Sequence, residues 1–146
     1  MNTATRTSIQ WRLHLRAAPP EVFAALTLPD RMQQYWVEAA EIHEGTLELL
    51  FPNGVKQRCR ILERTAPKRF ALEYFGGSIA SFELTGDGAG GTDLQLEVTH
   101  VSPELWHEDR PGWVSVLLCL KGAVDHGIDL RNHDPRRTWD QGYVDN

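Results

Sequence analysis

PGWVSVLLCLKGAVDHG, residues Pro111 to Gly127, reads as one long helix in a chain otherwise made mostly of strands. Proline suits the first turn of a helix, where its missing N–H costs nothing, and Gly127 is a natural stop. Trp113, Val116, Leu117, Leu120 and Val124 recur at helical spacing and form one apolar stripe. A lone amphipathic helix that follows six or seven strands must lay that stripe on their sheet. If the sheet is strongly curved, helix and sheet enclose a space. Leu118 and Cys119 lie off the stripe, so 116–120 is apolar nearly all round. Such a helix is covered on both sides. The cover is either the tail 128–146, folded back through Trp139 and Tyr143, or a second copy of the chain in a homodimer.

The strands are read upstream of the helix. Ile9, Trp11, Leu13 and Leu15 alternate with polar residues, the mark of a half-buried strand. Pro19 and Pro20 open a short helix that carries Val22, Phe23 and Leu26. Pro29 interrupts it, and Asp30 is read as the cap of a second short helix that carries Met32, Tyr35 and Trp36. From Ala39 onward the period is two. Leu47 and Leu49, then Gln57, Cys59 and Ile61, then Phe70, Leu72 and Tyr74 follow one another. Ala80, Phe82 and Leu84, then Leu94, Leu96 and Val98, complete the series. Pro52-Asn53-Gly54, Gly76-Gly77 and the glycine-rich loop 86–91 join them as hairpins, so the sheet is expected to be antiparallel. Six strands are clear, and a short seventh is expected around Glu41–His43.

The composition bounds the function. A chain of 146 residues fits a single domain, here residues 1–146 with a core of about 8–127 and a tail of 128–146. A net charge of −5 argues against nucleic acid or an anionic membrane as the main partner. Arg58, Arg60, Arg64, Lys68 and Arg69 form a local basic cluster, read as a solvated strand face. Residues 1–15 carry no apolar run of signal-peptide length and no segment approaches 18 apolar residues, so a cytoplasmic location without membrane insertion is expected. Cys59 and Cys119 read as buried free thiols, with no Cys-x-x-Cys pair to suggest zinc or redox chemistry. No metal or cofactor is expected.

The order of elements and several motifs resemble a known family. Ala18-Pro19-Pro20-Glu21-Val22-Phe23-Ala24-Ala25-Leu26-Thr27, followed by Tyr35-Trp36, is similar to the opening signature of the activator of heat-shock-protein-90 ATPase homologue-like family. That family lies within the SRPBCC superfamily of START-like and polyketide cyclase-like domains. Phe70-Ala71-Leu72-Glu73-Tyr74, Gly91-Thr92-Asp93-Leu94-Gln95-Leu96 and Gly112-Trp113 with Leu117 and Leu120 resemble its later strands and last helix. The chain departs from the pattern in its single Gly45, where the family often has a glycine pair, and in its long tail. The resemblance implies an α+β helix-grip fold. In it a curved antiparallel sheet of six to seven strands wraps around the long C-terminal helix, with two short helices after the first strand. It also implies a deep apolar cavity, and it does not fix a reaction.

The inward positions give the expected cavity lining: Trp11, Leu13, Leu47, Leu49, Gln57, Cys59, Leu72, Tyr74, Phe82, Leu96, Val98, Trp113, Val116, Leu117 and Leu120. The same residues build either an open pocket or a filled core, and periodicity does not separate the two. Gln57 and Tyr74 are the polar groups on this face and need partners, from a ligand, a neighbouring side chain or water. His100, Glu104, His107, Glu108 and Arg110 cluster between the last strand and the helix as an ordinary polar loop or an acid–base site. The leading expectation is non-catalytic binding of a small hydrophobic molecule, such as a lipid, in the cavity. A cyclase- or hydrolase-type enzyme using Tyr74 or His100, and a co-chaperone-like module that stimulates a heat-shock ATPase, are the alternatives.

Overall fold

The structure, a computed structural model, describes residues 7–146. The reading of the first fifteen residues as free of a signal peptide falls in part on residues 1–6, outside the described residues. The elements run β1 (Ile9–Leu15), α1 (Pro19–Thr27), α2 (Pro29–Met32), β2 (Ala39–His43), β3 (Thr46–Leu50), β4 (Lys56–Thr65), β5 (Arg69–Glu73), β6 (Ile79–Gly86), β7 (Thr92–Thr99) and α3 (Trp106–His126). Among the described residues the seven strands form one sheet in the order β1-β7-β6-β5-β4-β3-β2, every neighbouring pair antiparallel. The short strand expected near Glu41–His43 is the edge strand β2. A register shift between Ile61 and Glu63 interrupts the β4–β5 ladder, the kind of bulge that bends a sheet. This is the α+β helix-grip fold, with the curved sheet wrapped about α3.

The long helix begins earlier than its sequence suggests. Pro111 is the sixth residue of α3, which starts at Trp106. Without an N–H, Pro111 leaves the His107 carbonyl no helical donor. Tertiary contacts hold the early turns instead. Trp106 Nε1 donates to the Ser8 carbonyl at 2.8 Å, and Trp11 Nε1 donates to the Arg110 carbonyl at 3.1 Å. Farther along, Asp125 accepts the backbone N–H groups of Arg16 and Ala17 at 2.8 and 3.1 Å, and Lys121 donates to the His14 carbonyl. α3 is thus fixed along the whole length of β1.

The loop 86–91 is organised by one side chain. The Asp87 carboxylate accepts the N–H groups of Ala89 and Gly91 and contacts His14 Nε2, each within 2.8 Å. His14 and these two N–H groups pull its pKa down to about 2. Gly91 is buried because nothing larger fits: a Cβ there would lie 2.4 Å from Asp87 Oδ2 and 2.7 Å from the Leu15 carbonyl. Gly91→Ala is expected to cost about 1–3 kcal/mol, the range for overpacking, in a urea-unfolding measurement. A neutral result would mean that the β1 end moves freely at this point.

The tail 128–146 covers one side of α3. Leu130 lies over Gly122, where a Cβ would come within 2.9 Å of it, and Trp139 lies over Gly112 at 3.4 Å. Trp139 therefore supplies the cover expected of it. Tyr143 does not: it is 41% exposed, and Leu118, on another side of α3, is 52% exposed. The anchor is Arg131, whose side chain is 1% exposed. It donates to the Val37 carbonyl at 3.0 Å, the Gln33 carbonyl at 2.8 Å and both Asp129 oxygens. His133 bridges Asp129 at 2.7 Å and Glu38 at 2.8 Å.

This clasp is sensitive to pH. Asp129, and then Glu38, hold the His133 imidazole above its ordinary pKa, while burial and, less, Arg131 oppose them. A folded pKa above the unfolded value of about 6.5 means protonation favours the folded state. The contribution is complete below that unfolded value and fades as pH rises through the higher folded one. Melting temperature is expected to fall over this window in the wild type, and by less in His133→Gln. Equal profiles for the two proteins would remove His133 from the clasp.

Candidate functional site

The middle of the space between sheet and helix is filled. Trp36 packs on Tyr74, Phe82 and Trp113 with ring centroids 5.9, 6.4 and 5.9 Å away, and Phe82 stacks on Phe70. Leu47, Leu49, Cys59, Leu72, Phe82, Leu96, Val98, Leu117 and Leu120, all expected to line a cavity, are buried among these groups. Trp11, Leu13 and Gln57 are half-buried and outside the pocket lining.

Open volume remains at one end. A pocket of about 340 Å³ lies between the β3–β4 turn, the segment after β5, the early turns of α3 and the tail. Tyr74, Trp113 and Val116 of the expected lining face it. The other walls are Tyr35, Trp36, Phe51, Pro52, Asn53, Val55, Phe75, Leu105, Glu108, Asp109, Gly112, Ser115, Cys119, Trp139 and Asn146. Those from the β3–β4 turn and the tail carry no periodic signal. Asp109 is different. With α3 starting at Trp106, Asp109 shares a face with Gly112, Trp113 and Val116 at i+3, i+4 and i+7, whereas a helix starting at Pro111 leaves it in a loop.

The polar groups of the pocket are few. Tyr74 Oη accepts Trp36 Nε1–H at 3.2 Å, and burial pushes its phenol well above the ordinary value near 10. The Tyr74 hydroxyl proton has no acceptor among the described residues. Burial, and then the neighbouring Glu108, raise the pKa of Asp109. No hydrogen bond or ion pair to its carboxylate is formed among the described residues. Burial also raises the Cys119 thiol, and burial with Glu73 pushes Cys59 up to about 12; neither is in a disulfide. Both stay protonated at neutral pH and are poor nucleophiles.

The remaining candidates lie apart. His100 is exposed at the end of β7 with φ 58°, its Nδ1 3.1 Å from Thr99 Oγ1. It borders a separate hollow with Thr7, Ser8, Gly76, Thr99, Val101 and Ser102, so it does not meet Tyr74 in one site. Glu104 is bonded to Ser102, His107 packs on Trp106, and the Arg110 guanidinium stacks 4.0 Å from the Trp11 ring. Of the basic cluster, Arg58, Arg60 and Arg69 pair with Glu48, Glu73, and Glu63 with Glu83 respectively, which leaves less positive field than the sequence alone suggests. Exposed Glu41 and Glu48 face each other across β2 and β3, with His43 Nε2 3.0 Å from Glu41. Among the described residues no helix is long and apolar enough to cross a membrane.

Solved structures share this architecture. The Aha1 dimer from Colwellia psychrerythraea is 20% identical with a TM-score of 0.74, covering 82% of this chain and 97% of its own. Protein SSP2350 from Staphylococcus saprophyticus is 19% identical with a TM-score of 0.73, covering 83% and 93%. CalU16 from Micromonospora echinospora is 27% identical with a TM-score of 0.66, covering 82% and 76%. No family model matches the chain, and no curated protein sequence does. These likenesses show the helix-grip fold. The narrower resemblance to the heat-shock ATPase activators rests on the sequence motifs.

Proposed function

We propose that this chain binds a small, mainly apolar molecule in the pocket at the early turns of α3, without turning it over. The observation that carries the reading is the pocket itself: six aromatic residues besides Tyr35 (Trp36, Phe51, Tyr74, Phe75, Trp113 and Trp139) surround a few polar groups. That is the usual build of a small-molecule site, and about 340 Å³ lies at the lower end of the usual range. The acid–base alternative has weaker support. Tyr74 and His100 border separate hollows, and a phenol pushed upward by burial does not act as a base at neutral pH.

The test is titration with Nile red, a neutral apolar dye that brightens on leaving water. Saturable binding is expected in the wild type. Ser115→Trp, which places a large ring in the pocket, is expected to weaken it at least about tenfold with the circular dichroism spectrum unchanged. Equal binding by the two proteins would place the dye elsewhere and end the assignment.

A homodimer has support of its own. Leu118, 52% exposed on α3, is the side that the tail leaves uncovered, and one structural relative is described as a dimer. Light scattering that shows only monomer at high concentration would remove this reading.

A further inference from the structure

We infer that the pocket is selective for apolar molecules that carry a positively charged amine, with Asp109 as counter-ion. The inference rests on the proposed binding function and names the ligand class for that site. Two independent features point to it. The first is the charge of the walls. Glu108 and Asp109 both face the pocket, and among the described residues its lining contains no lysine, arginine or histidine. The nearest cation in sequence, Arg110, is held elsewhere, stacked between Trp11 and Trp106 at 4.0 and 5.4 Å. Asp109 is half-buried and has no hydrogen-bond donor among the described residues. A carboxylate withdrawn from water without a partner is costly, and a bound ammonium relieves that cost.

The second feature is the rings. Aromatic faces are electron-rich and attract cations while disfavouring anions. Trp113 and Trp139 are set beside the α3 face that carries Asp109: Trp113 is one turn on from it, and Trp139 packs over Gly112. An ammonium near Asp109 therefore has a carboxylate and two indole rings lining the same pocket. In the same pocket the Tyr74 hydroxyl proton, which has no acceptor among the described residues, can donate to an oxygen or nitrogen acceptor on the ligand. A fatty-acid carboxylate or a phosphate would place negative charge against both Asp109 and Glu108, so anionic lipids are the class that this pocket rejects.

The experiment compares three probes of one shape: naphthylmethylamine, naphthylmethanol and naphthoate, by calorimetric titration at neutral pH. The amine is expected to bind about tenfold tighter than the alcohol, the combined size of a cation–π contact and a partly screened ion pair. Naphthoate is expected to bind weakest. In Asp109→Asn the ratio of amine to alcohol affinity is expected to shrink several-fold, and an unchanged ratio overturns Asp109 as the counter-ion. Equal binding of amine and alcohol to the wild type, or preference for naphthoate, overturns the charge selectivity and leaves the pocket reading intact. Failure of all three probes while Nile red still binds also overturns the amine inference alone. Failure of all three together with Nile red overturns the pocket reading as well. The wild-type comparison needs no variant to fold.

Discussion

Phe82→Ala is expected to lower the unfolding free energy by about 3–5 kcal/mol, a large fraction of a domain's usual margin of roughly 5–15 kcal/mol, and with it the melting temperature. Phe82 is 1% exposed on β6, with Phe70, Trp36 and Trp113 around it at centroid distances of 6.3, 6.4 and 6.0 Å. These neighbours come from β5, the segment after α2, and α3, so the cavity left by alanine has walls on three independent elements. Such walls collapse poorly, and the cost approaches the upper end of the range. Urea unfolding checks the value. A loss below about 1 kcal/mol would mean that sheet and helix close over the gap, and hence that the centre of the fold is softer than its packing implies. Phe82→Leu, which retains most of the volume, is expected to cost less than half as much.

Arg131→Ala is expected to release the tail. The guanidinium satisfies the carbonyls of Gln33 and Val37 and both oxygens of Asp129, and it is almost wholly removed from water. Removing one partner of a buried charged pair costs about 3–5 kcal/mol, chiefly because the other groups are left unpaired. Here the tail can lift away while the sheet stays folded. Amide exchange in residues 128–142 is therefore expected to quicken about 100-fold or more, with β6 and β7 little changed. Trp139 forms one wall of the pocket, so ligand binding should weaken in the same variant. Arg131→Lys keeps the charge but cannot reproduce the fork of donors, and an intermediate effect is expected. Unaltered exchange in the tail would show that Leu130 on Gly122 and Trp139 on Gly112 hold it without help.

The strands were legible because each buries one face. Leu94, Leu96 and Val98 are buried at alternate positions of β7, and Glu97 and Gln95 between them are exposed, so periodicity alone located the inner face. The first short helix is legible from Pro19 and Pro20 at its start, whereas the second is displaced from its reading: Pro29 begins it rather than Asp30 capping it, and it ends at Met32, so Tyr35 and Trp36 follow it in a turn. At Pro111 the same cue points to a helix start, but the residue lies one turn inside α3, where Trp106 and Trp11 supply long-range hydrogen bonds that no local pattern encodes. That single shift hid Asp109. Of the residues expected to line a cavity, Tyr74, Trp113 and Val116 border the pocket, since period two tells which side chains point inward and not how far they fill the space. Phe51, Phe75 and Trp139 come from turns and an aperiodic tail, where only the folded chain brings them together.

The strand order has a consequence for how the protein is made. Among the described residues β1 lies at one edge of the sheet and pairs only with β7, Ile9 opposite Val98 and Leu15 opposite Thr92. On a ribosome that adds roughly 5–20 residues per second, β1 emerges several seconds before its partner. During that interval its backbone N–H and C=O groups, and the apolar side chains Ile9, Trp11, Leu13 and Leu15, have no native sheet to join. Strands β2 to β6, in contrast, pair with successive neighbours in order of synthesis. The nascent chain thus carries a sticky, unclaimed first strand until nearly the whole sheet has been translated, and that strand is where holdase chaperones and early aggregation would first engage it.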